Sequence, residues 1–318
     1  MLINHHSLKS LIEGDHVKDV DLLIYDEASN LKNDATHMHK AITQLNCTKV
    51  LLSGTPMQNN IYEFYHLLSI VSNKLGDFES FKKEYGLVIT KRCLSDATAE
   101  EKLRKNEVVY VLCQQMSDCF HRQDATILKQ YVTELREYKI TYHLNPACEY
   151  VTDGLGALAQ HSLSAEVCEK QKVSFAASVI GIASNGCSTE DPNKVVVFSK
   201  FIKCLDLLFS ACSMLYECNI VKGDTSQVDR CTRIESFKNH NGFAVLFMTI
   251  GVGALGINLQ CANYILLLEP NWNWSIEEQA VARSFRMGQK RDVTCLRFSC
   301  RDTIEKAMKN IHIQKKVD

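Results

Sequence analysis

Residues 21–27 have the sequence DLLIYDE, a short apolar run that ends directly in two carboxylates. A continuous apolar run bounded by polar residues is typical of a strand that is buried on both faces of a parallel sheet. Residues 49–52 repeat this pattern, because KVLL leads into a turn with the sequence SGTP at 53–56. Apolar residues at helical spacing follow over 61–71. The first part of the chain therefore predicts parallel strands connected by helices.

The same alternation of strands and helices returns in the last third of the chain. Strands are predicted at 194–198, 243–248, 264–268 and 293–298, and helices near 201–215 and 276–286. Strands that alternate with helices imply right-handed crossovers and a second parallel sheet.

The middle of the chain, residues 91–190, shows no convincing pattern of a buried strand. It is charged and helical in character, and small residues accumulate before Asn185 and Gly186, so we predict helices followed by a linker. The expected fold class is α/β, with two parallel-sheet lobes joined by a helical insert. The predicted domains are 1–90, 91–190 and 191–318.

The composition is that of a folded chain of about two domains. The 318 residues are 46% hydrophobic and 23% charged, and a domain takes roughly 150 residues. The apolar runs are far shorter than the ~20 residues that cross a bilayer, and no basic signal segment follows Met1. The 14 cysteines include no Cys-x-x-Cys pair, which favours reduced thiols in an intracellular protein. A net charge of −1 gives no indication of nucleic-acid binding, so that function depends on motifs.

Asp26 and Glu27 are the first candidate catalytic residues. They follow a predicted strand, and ligands of open α/β sheets bind beyond the carboxyl ends of the strands. A carboxylate at that point can hold Mg²⁺ through water, and its neighbour can orient or deprotonate an attacking water. The alternative is a loop with two solvated acids.

The loop after the next predicted strand carries hydroxyls and tight-turn residues. The hydroxyls of Ser53 and Thr55 can bond to a neighbouring carboxylate, while Gly54 and Pro56 fix the turn. A simple turn would not need the Gln-Asn-Asn sequence at 58–60. The loop is therefore a second candidate functional segment.

The predicted helix at 276–286 carries two arginines. Ser275 and Glu278 have the spacing of a capping box that starts a helix. Gln279, Arg283 and Arg286 would then share one helix face. Two guanidiniums and an amide on one face suit a polyphosphate, because a positioned arginine stabilises the charge that develops in phosphoryl transfer. The alternative is a solvated face that pairs with the glutamates of the same helix.

The loop after the predicted strand 243–248 contains glycines at 251, 253 and 256. Repeated glycine allows close approach of the backbone, and exposed N–H groups can face a phosphate. The pairs His5-His6 and His37-x-His39 have no further ligands at metal-binding spacing and are not expected to bind a metal.

Taken in order, these segments resemble the Swi/Snf-type family of superfamily 2 helicase-like ATPases. The residues that carry the likeness are DEASNLKN at 26–33 (motif II), LSGTPMQNN at 52–60 (motif III), VVVFS at 195–199 (motif IV), GALGINL at 253–259 (motif V) and the segment 279–289 (motif VI). Motifs III and VI are highly specific, and the match covers nearly the whole chain. The resemblance implies two RecA-like lobes, the first truncated at its N-terminus.

The resemblance also implies a site for ATP and Mg²⁺. Asp26 would hold Mg²⁺ through water, and Glu27 would activate the attacking water. Arg283 and Arg286 would reach across the cleft between the lobes to ATP. Further nucleotide contacts are implied for Gly253 and Gln279.

Binding to double-stranded DNA is implied as well. The residues concerned are Asn4, His5, Ser199, Thr249 and Asn258 for DNA contact, and Ser29, Ser53 and Thr55 for coupling ATP to DNA. Contacts with phosphates carry no base readout, so binding is expected to be independent of sequence and sensitive to salt.

The function implied is that of an ATP-dependent DNA translocase or chromatin remodeller, in which ATP hydrolysis is coupled to movement on double-stranded DNA. Nucleosomes or DNA-bound proteins are the implied partners, and transcription regulation in the nucleus is the implied setting. Compact viral members of the family, such as the global transactivators of insect DNA viruses, fit the short loops of this chain.

Departures from the family pattern leave a second function open. The family's phosphate-binding loop, G-x-x-x-x-G-K-[ST], should precede motif II, but residues 1–25 contain no such loop. Ser29 stands where motif II usually has histidine. The missing part of lobe 1 would lie on a longer chain or a partner. Alternatively, the chain is an ATPase-inactive relative that binds DNA or chromatin. An RNA helicase is disfavoured by the sequences at 58–60 and 288–289.

Overall fold

The computed structural model describes residues 3–14, 20–57, 60–91, 98–123, 131–142, 157–186, 191–253, 256–301, 303–305 and 307–308. The chain divides into two compact units, Met1–Gln123 and Asp124–Asp318. The division into segments 1–90, 91–190 and 191–318 stays a prediction. No helix among the described residues combines the length and the apolar character that crossing a membrane requires.

The first unit is built on a two-stranded parallel sheet. Strands β1 (Leu22–Tyr25) and β2 (Thr48–Leu51) pair with Leu22 opposite Thr48 and Tyr25 opposite Leu51. Both strands lie where the apolar runs predict them. The helices of this unit are α1 (His5–Glu13), α2 (His37–Gln44), α3 (Ile61–Val71), α4 (Phe78–Phe81), a π-helical turn (Lys82–Gly86), α5 (Leu87–Lys91) and α6 (Ala99–Gln115).

The two faces of this small sheet differ in burial. One face, which includes Tyr25, packs on a core that contains Leu8, Leu31 and Ile42. The other face exposes Leu22, Ile24 and Val50, with Ile24 60% exposed. The prediction that these strands are buried on both faces is therefore wrong for the described chain, and the sheet has an uncovered apolar face.

The second unit is built on one six-stranded sheet in which every pairing is parallel. The strand order is β3-β8-β7-β4-β6-β5. The strands are β3 (Leu135–Tyr142), β4 (Lys194–Ser199), β5 (Glu217–Val221), β6 (Ala244–Thr249), β7 (Tyr264–Leu267) and β8 (Val293–Cys300). The helices are α7 (Ala157–Asn185), α8 (Ile202–Cys212), α9 (Gln227–Asn239), α10 (Ile250–Gly253) and α11 (Trp274–Val281).

The core of the second unit lies on both faces of this sheet. Strand β4 is buried along its whole length, and it lies between β7 and β6. Its alternate residues contribute to two separate apolar clusters, with Val196 on one face and Val197 on the other. This burial is the reason why the run at 194–199 is apolar without interruption. The predicted α/β class with parallel sheets is confirmed.

Two strands and one helix of the second unit correct the sequence-based expectations. Strand β3 lies in the region where no strand is predicted, and β5 is likewise not predicted. Both are edge strands, and β3 is largely exposed, so it lacks the apolar run of a central strand. Helix α7 continues to Asn185, so the small-residue stretch before Gly186 is helical rather than a linker.

Candidate functional site

The acidic pair lies at the carboxyl end of β1. The Asp26 carboxylate accepts a hydrogen bond of 2.9 Å from the backbone N–H of Glu27. Glu27 adopts the left-handed conformation, with φ of 54° and ψ of 47°, and it is the only non-glycine residue of the described chain with positive φ. Such strain costs of order 1–3 kcal/mol and is concentrated at functional sites. Glu27, the residue predicted to activate water, is thus also a residue with a strained backbone.

The loop after β2 meets the acidic pair at the same edge of the sheet. The backbone N–H of Ala28 donates to the carbonyl of Leu52 over 2.8 Å. The Ser53 hydroxyl accepts a 3.2 Å bond from the N–H of Thr55, which shapes the turn. Parallel strands bring their carboxyl ends together, so the two predicted functional loops are neighbours. Residues 58 and 59 lie outside the described part of the chain.

The start of α1 also lies beside the acidic pair. The imidazole of His5 stacks on the ring of Tyr25, with centroids 4.6 Å apart, and its Nε2 lies 3.1 Å from the backbone oxygen of Asp26. Asn4 caps α1, because its side-chain oxygen accepts from the N–H of Ser7. The polar surface of α1 therefore adjoins the candidate site, although the predicted DNA contacts of Asn4 and His5 stay predictions.

Two of the residues considered as metal ligands, His39 and Asp26, lie in different environments, the first buried and the second exposed. Within the described residues no group of three or more His, Cys, Asp or Glu side chains is placed to hold a metal. His39 directs its Nε2 to the backbone oxygen of His66 over 3.1 Å. Asp26 is exposed at a strand end, which fits Mg²⁺ held through water by one carboxylate and by substrate phosphates.

The two arginines of the candidate phosphate site do not lie on a helix face. Helix α11 begins at Trp274 and ends at Val281, so Arg283 and Arg286 follow it in a turn segment. Its N-cap is Asn273, whose side chain accepts from the N–H of Ser275. The predicted capping box at Ser275 and the shared helix face are therefore wrong. The helix instead begins after Asn273, two residues before Ser275, because the Asn273 side chain accepts from one of the unpaired N–H groups of the first turn.

The exposures of these side chains differ. Arg286 is exposed, Arg283 is half-buried, and Gln279 is half-buried within α11. Glu277 is buried and bonds to Arg297 rather than to either arginine of the turn. The structure therefore does not show the alternative arrangement, in which the two arginines pair with Glu277 on a solvated helix face.

The glycine-rich segment has a packing role at one position. Gly253 ends α10 and is buried against Phe198, so that a Cβ atom added at Gly253 would lie 2.3 Å from the ring carbon Cε1. Gly256 has φ of 53° and open space around it, so its requirement is backbone conformation. Ala254 and Leu255 lie outside the described residues. The structure therefore gives a steric reason for Gly253, and its nucleotide contact stays a prediction.

Replacing Gly253 by alanine is expected to lower the free energy of unfolding by about 1–3 kcal/mol, because the methyl group overpacks the buried Phe198 ring. Gly251→Ala is the matched control, since Gly251 lies in the same short helix and has no atom within 4 Å of an added Cβ. Urea denaturation of both variants measures the difference. Equal stability of the two variants would contradict this packing role.

The predicted DNA-contacting residues of the second unit occupy different environments. Thr249 ends β6 and is half-buried, and Asn258 is exposed in the following loop, where its amide bonds to the side chain of Gln260 over 3.2 Å. Ser199 is 1% exposed. Its hydroxyl bonds to the Glu269 carboxylate at 2.9 and 3.0 Å. Its burial disfavours a direct contact of the hydroxyl with DNA.

Sequence reasoning missed the buried cluster to which Ser199 belongs. The Lys172 ammonium lies 3.7 Å from Glu269 and 2.7 Å from Glu305. The N–H of Lys200 donates to Glu269 over 3.0 Å. Burial raises the pKa of the Glu269 carboxyl, against the opposing effect of Lys172. The cluster ties α7 to the carboxyl ends of three strands, and no local sequence pattern indicates these long-range contacts.

Two family models match the chain. Residues 172–288 match the helicase conserved C-terminal domain, and residues 5–152 match the SNF2-related domain. Together the two matches define a helicase-like ATPase core. The chain belongs to the Swi/Snf-type family of these ATPases.

Similar proteins include DNA-repair and chromatin proteins. The chain is 26% identical to the DNA repair and recombination protein RAD54-like of Gallus gallus, over 99% of this chain and 50% of that protein. It is also 26% identical to the human SWI/SNF-related matrix-associated actin-dependent regulator of chromatin subfamily A member 1, over 89% of this chain and 30% of that protein. The chain thus spans about half the length, or less, of these relatives.

A solved structure with a similar chain is the Sulfolobus solfataricus SWI2/SNF2 ATPase core in complex with dsDNA. The alignment covers 96% of this chain and 69% of that chain, with 20% identity and a TM-score of 0.41.

Proposed function

We propose that this chain is part of an ATP-dependent DNA translocase that couples ATP hydrolysis to movement on double-stranded DNA. The observation that carries the proposal is the strained Glu27 beside Asp26, at the sheet edge where the loops after β1 and β2 meet. Asp26 holds Mg²⁺ through water, and Glu27 orients and deprotonates the attacking water. Ser29, Ser53 and Thr55 couple this site to DNA.

The second unit contributes positive charge to the reaction. The exposed Arg286 and the half-buried Arg283 lie on a turn that follows α11. An arginine that contacts a phosphate stabilises the charge that develops in phosphoryl transfer. Gln279 assists in nucleotide binding from α11, whereas burial of Gly253 against Phe198 makes its part in binding indirect.

The proposed partner is double-stranded DNA, with nucleosomes or DNA-bound proteins as the objects of remodelling. Exposed polar side chains at Asn4 and Asn258 offer hydrogen bonds to phosphates without reading bases. The proposed setting is transcription regulation in the nucleus. It is supported by the chromatin regulator and the DNA-repair protein among the similar proteins.

A second candidate function is that of an ATPase-inactive module that binds DNA or chromatin. It is favoured by Ser29, which stands where motif II of the family usually has histidine. The uncovered apolar face of β1 and β2 agrees with a first lobe whose remaining strands lie on a longer chain or a partner.

DNA binding is expected to be the same for duplexes of equal length and different sequence, and to weaken steeply with salt. Asn258→Asp should reduce affinity by about tenfold, because it places a negative charge where a phosphate is proposed to lie. Asn241→Asp is the matched control, since Asn241 is exposed before the opposite end of β6. Fluorescence anisotropy with labelled duplexes measures both. Equal affinity of the two variants would contradict the proposed DNA site.

A further inference from the structure

Arg297, on strand β8, is the centre of a charge network that the proposed mechanism does not use. Its Nε and Nη2 atoms donate to one carboxylate oxygen of Glu137 over 3.0 and 2.8 Å. Nη2 also donates to Glu278 over 2.8 Å, and Nη1 donates to the buried Glu277. The guanidinium carbon lies 4.1 Å from the centre of the Trp274 ring.

These contacts join three elements through one side chain. Trp274, Glu277 and Glu278 lie on α11, while Glu137 lies on β3, the neighbour of β8 at the edge of the sheet. A planar guanidinium with several fixed donors specifies geometry more strongly than a lysine would. A buried ion pair contributes little net stability relative to well-packed apolar residues, so a geometric role accounts better for this network.

The segment that α11 leads into carries Arg283 and Arg286. Its far end is already fixed, because the side chain of Gln289 donates to the carbonyls of Ala262 and Ser284 over 3.0 and 3.1 Å. Its near end continues directly from α11. The position of the two arginines therefore depends on where the first turns of α11 are held.

Strand β3 connects the segment after the two arginines to the start of the second unit. It is the first described element of that unit, and the hydroxyl of Thr133 just before it donates to the carbonyl of Arg291 over 2.6 Å. The N–H of Glu134 donates to Asp292 over 3.1 Å. Residues 133–134, which lead into β3, are thus hydrogen-bonded to residues 291–292, which follow the turn that carries Arg283 and Arg286.

We propose that Arg297 is a positioning residue which, anchored to β3 through Glu137, holds α11 and so sets the position of Arg283 and Arg286. The effect on turnover rests on the proposed ATPase function, whereas the effect on α11 does not. A misplacement of about 1 Å in catalytic geometry can cost ~10²-fold in rate, so a loosened anchor is expected to act on turnover rather than on substrate binding.

The test compares Glu137→Ala with Glu134→Ala in the full 318-residue chain. Glu134 lies just before β3, and Glu137 lies on it. The Glu134 carboxylate accepts from Arg136, whereas the Glu137 carboxylate accepts from Arg297. The chain has two tryptophans, so the Trp272→Phe background leaves Trp274 as the single fluorophore. Because Glu137 is at the exposed end of the network, Glu137→Ala leaves the buried pair of Arg297 and Glu277 in place.

We expect Glu137→Ala to shift the emission of Trp274, and Glu134→Ala to leave it unchanged. In the chain with both tryptophans, Glu137→Ala should lower kcat for ATP by about tenfold at unchanged KM. Glu137→Gln, which keeps an acceptor oxygen for Arg297, should restore most of both properties. Thermal unfolding of each variant verifies that it is folded.

Identical Trp274 emission for Glu137→Ala and Glu134→Ala would overturn the proposal, as would a shifted emission with unchanged kcat in an active chain. If the parent chain shows no turnover, the proposed ATPase function of this chain alone fails. The emission comparison still decides whether Arg297 positions α11: a shift supports the proposal, and its absence overturns it.

Discussion

Alanine in place of Arg286 is expected to lower ATP turnover by about 10³-fold or more, while DNA affinity stays within about twofold. The side chain is exposed on the turn after α11. An arginine that stabilises transition-state charge acts on kcat, because its contact is strongest when the phosphoryl group is in transfer. Steady-state hydrolysis and duplex binding are measured on the same preparation, with an intact first lobe supplied if the chain alone is inactive.

Lys290→Ala is the matched control for Arg286→Ala. Lys290 is an exposed cation four residues further along the same segment, so its removal changes the net charge equally. Turnover of this variant should be close to that of the parent chain. An equal loss of turnover and DNA affinity in Arg286→Ala would instead identify Arg286 as a DNA contact.

Methionine in place of Lys172 is expected to lower the free energy of unfolding by about 3–5 kcal/mol. The ammonium is buried between the carboxylates of Glu269 and Glu305. Its removal leaves buried negative charge without its cation, at a point where α7 meets the carboxyl ends of the strands. Equilibrium unfolding in urea, with the slopes compared, measures the loss.

Lys222→Met is the matched control for Lys172→Met. Lys222 pairs with Asp206 over 2.6 Å in the same unit, but the Asp206 side chain is exposed and the Lys222 side chain is only half-buried. Exposed ion pairs contribute about 0–1 kcal/mol, so the control should lose little stability. A loss below 1 kcal/mol for Lys172→Met would contradict the structural role of the buried cluster. Adding Glu269→Gln to Lys172→Met should recover part of the loss, since it removes one of the unpaired charges.

The fold could be predicted from the sequence where burial leaves a continuous apolar run. Strands β4 and β6 lie inside the sheet and are almost wholly buried, so their sequences show the pattern directly. Strands β3 and β5 lie at the sheet edges, where one side of each strand has no neighbouring strand among the described residues. Their polar and mixed sequences carry no such signal, because exposure relaxes the requirement for apolar side chains.

The candidate site could be predicted in part for a similar reason. Asp26 and Ser53 follow strands directly, and parallel strands must bring their carboxyl ends to one edge. The start of α11 could not be predicted, because Asn273 caps the helix two residues before the capping-box pattern at Ser275. The networks around Glu269 and Arg297 join residues far apart in sequence, and only tertiary structure brings them together.

ATP hydrolysis by the purified 318-residue chain, with and without double-stranded DNA and beside a Glu27→Gln variant, tests the proposed translocase function. The substitution removes the carboxylate that activates water while keeping the shape of the side chain. We predict turnover that DNA stimulates and that Glu27→Gln abolishes. No turnover in the parent chain, either alone or with an intact first lobe supplied, together with intact salt-sensitive DNA binding, would contradict this function and leave a DNA-binding module without ATPase activity.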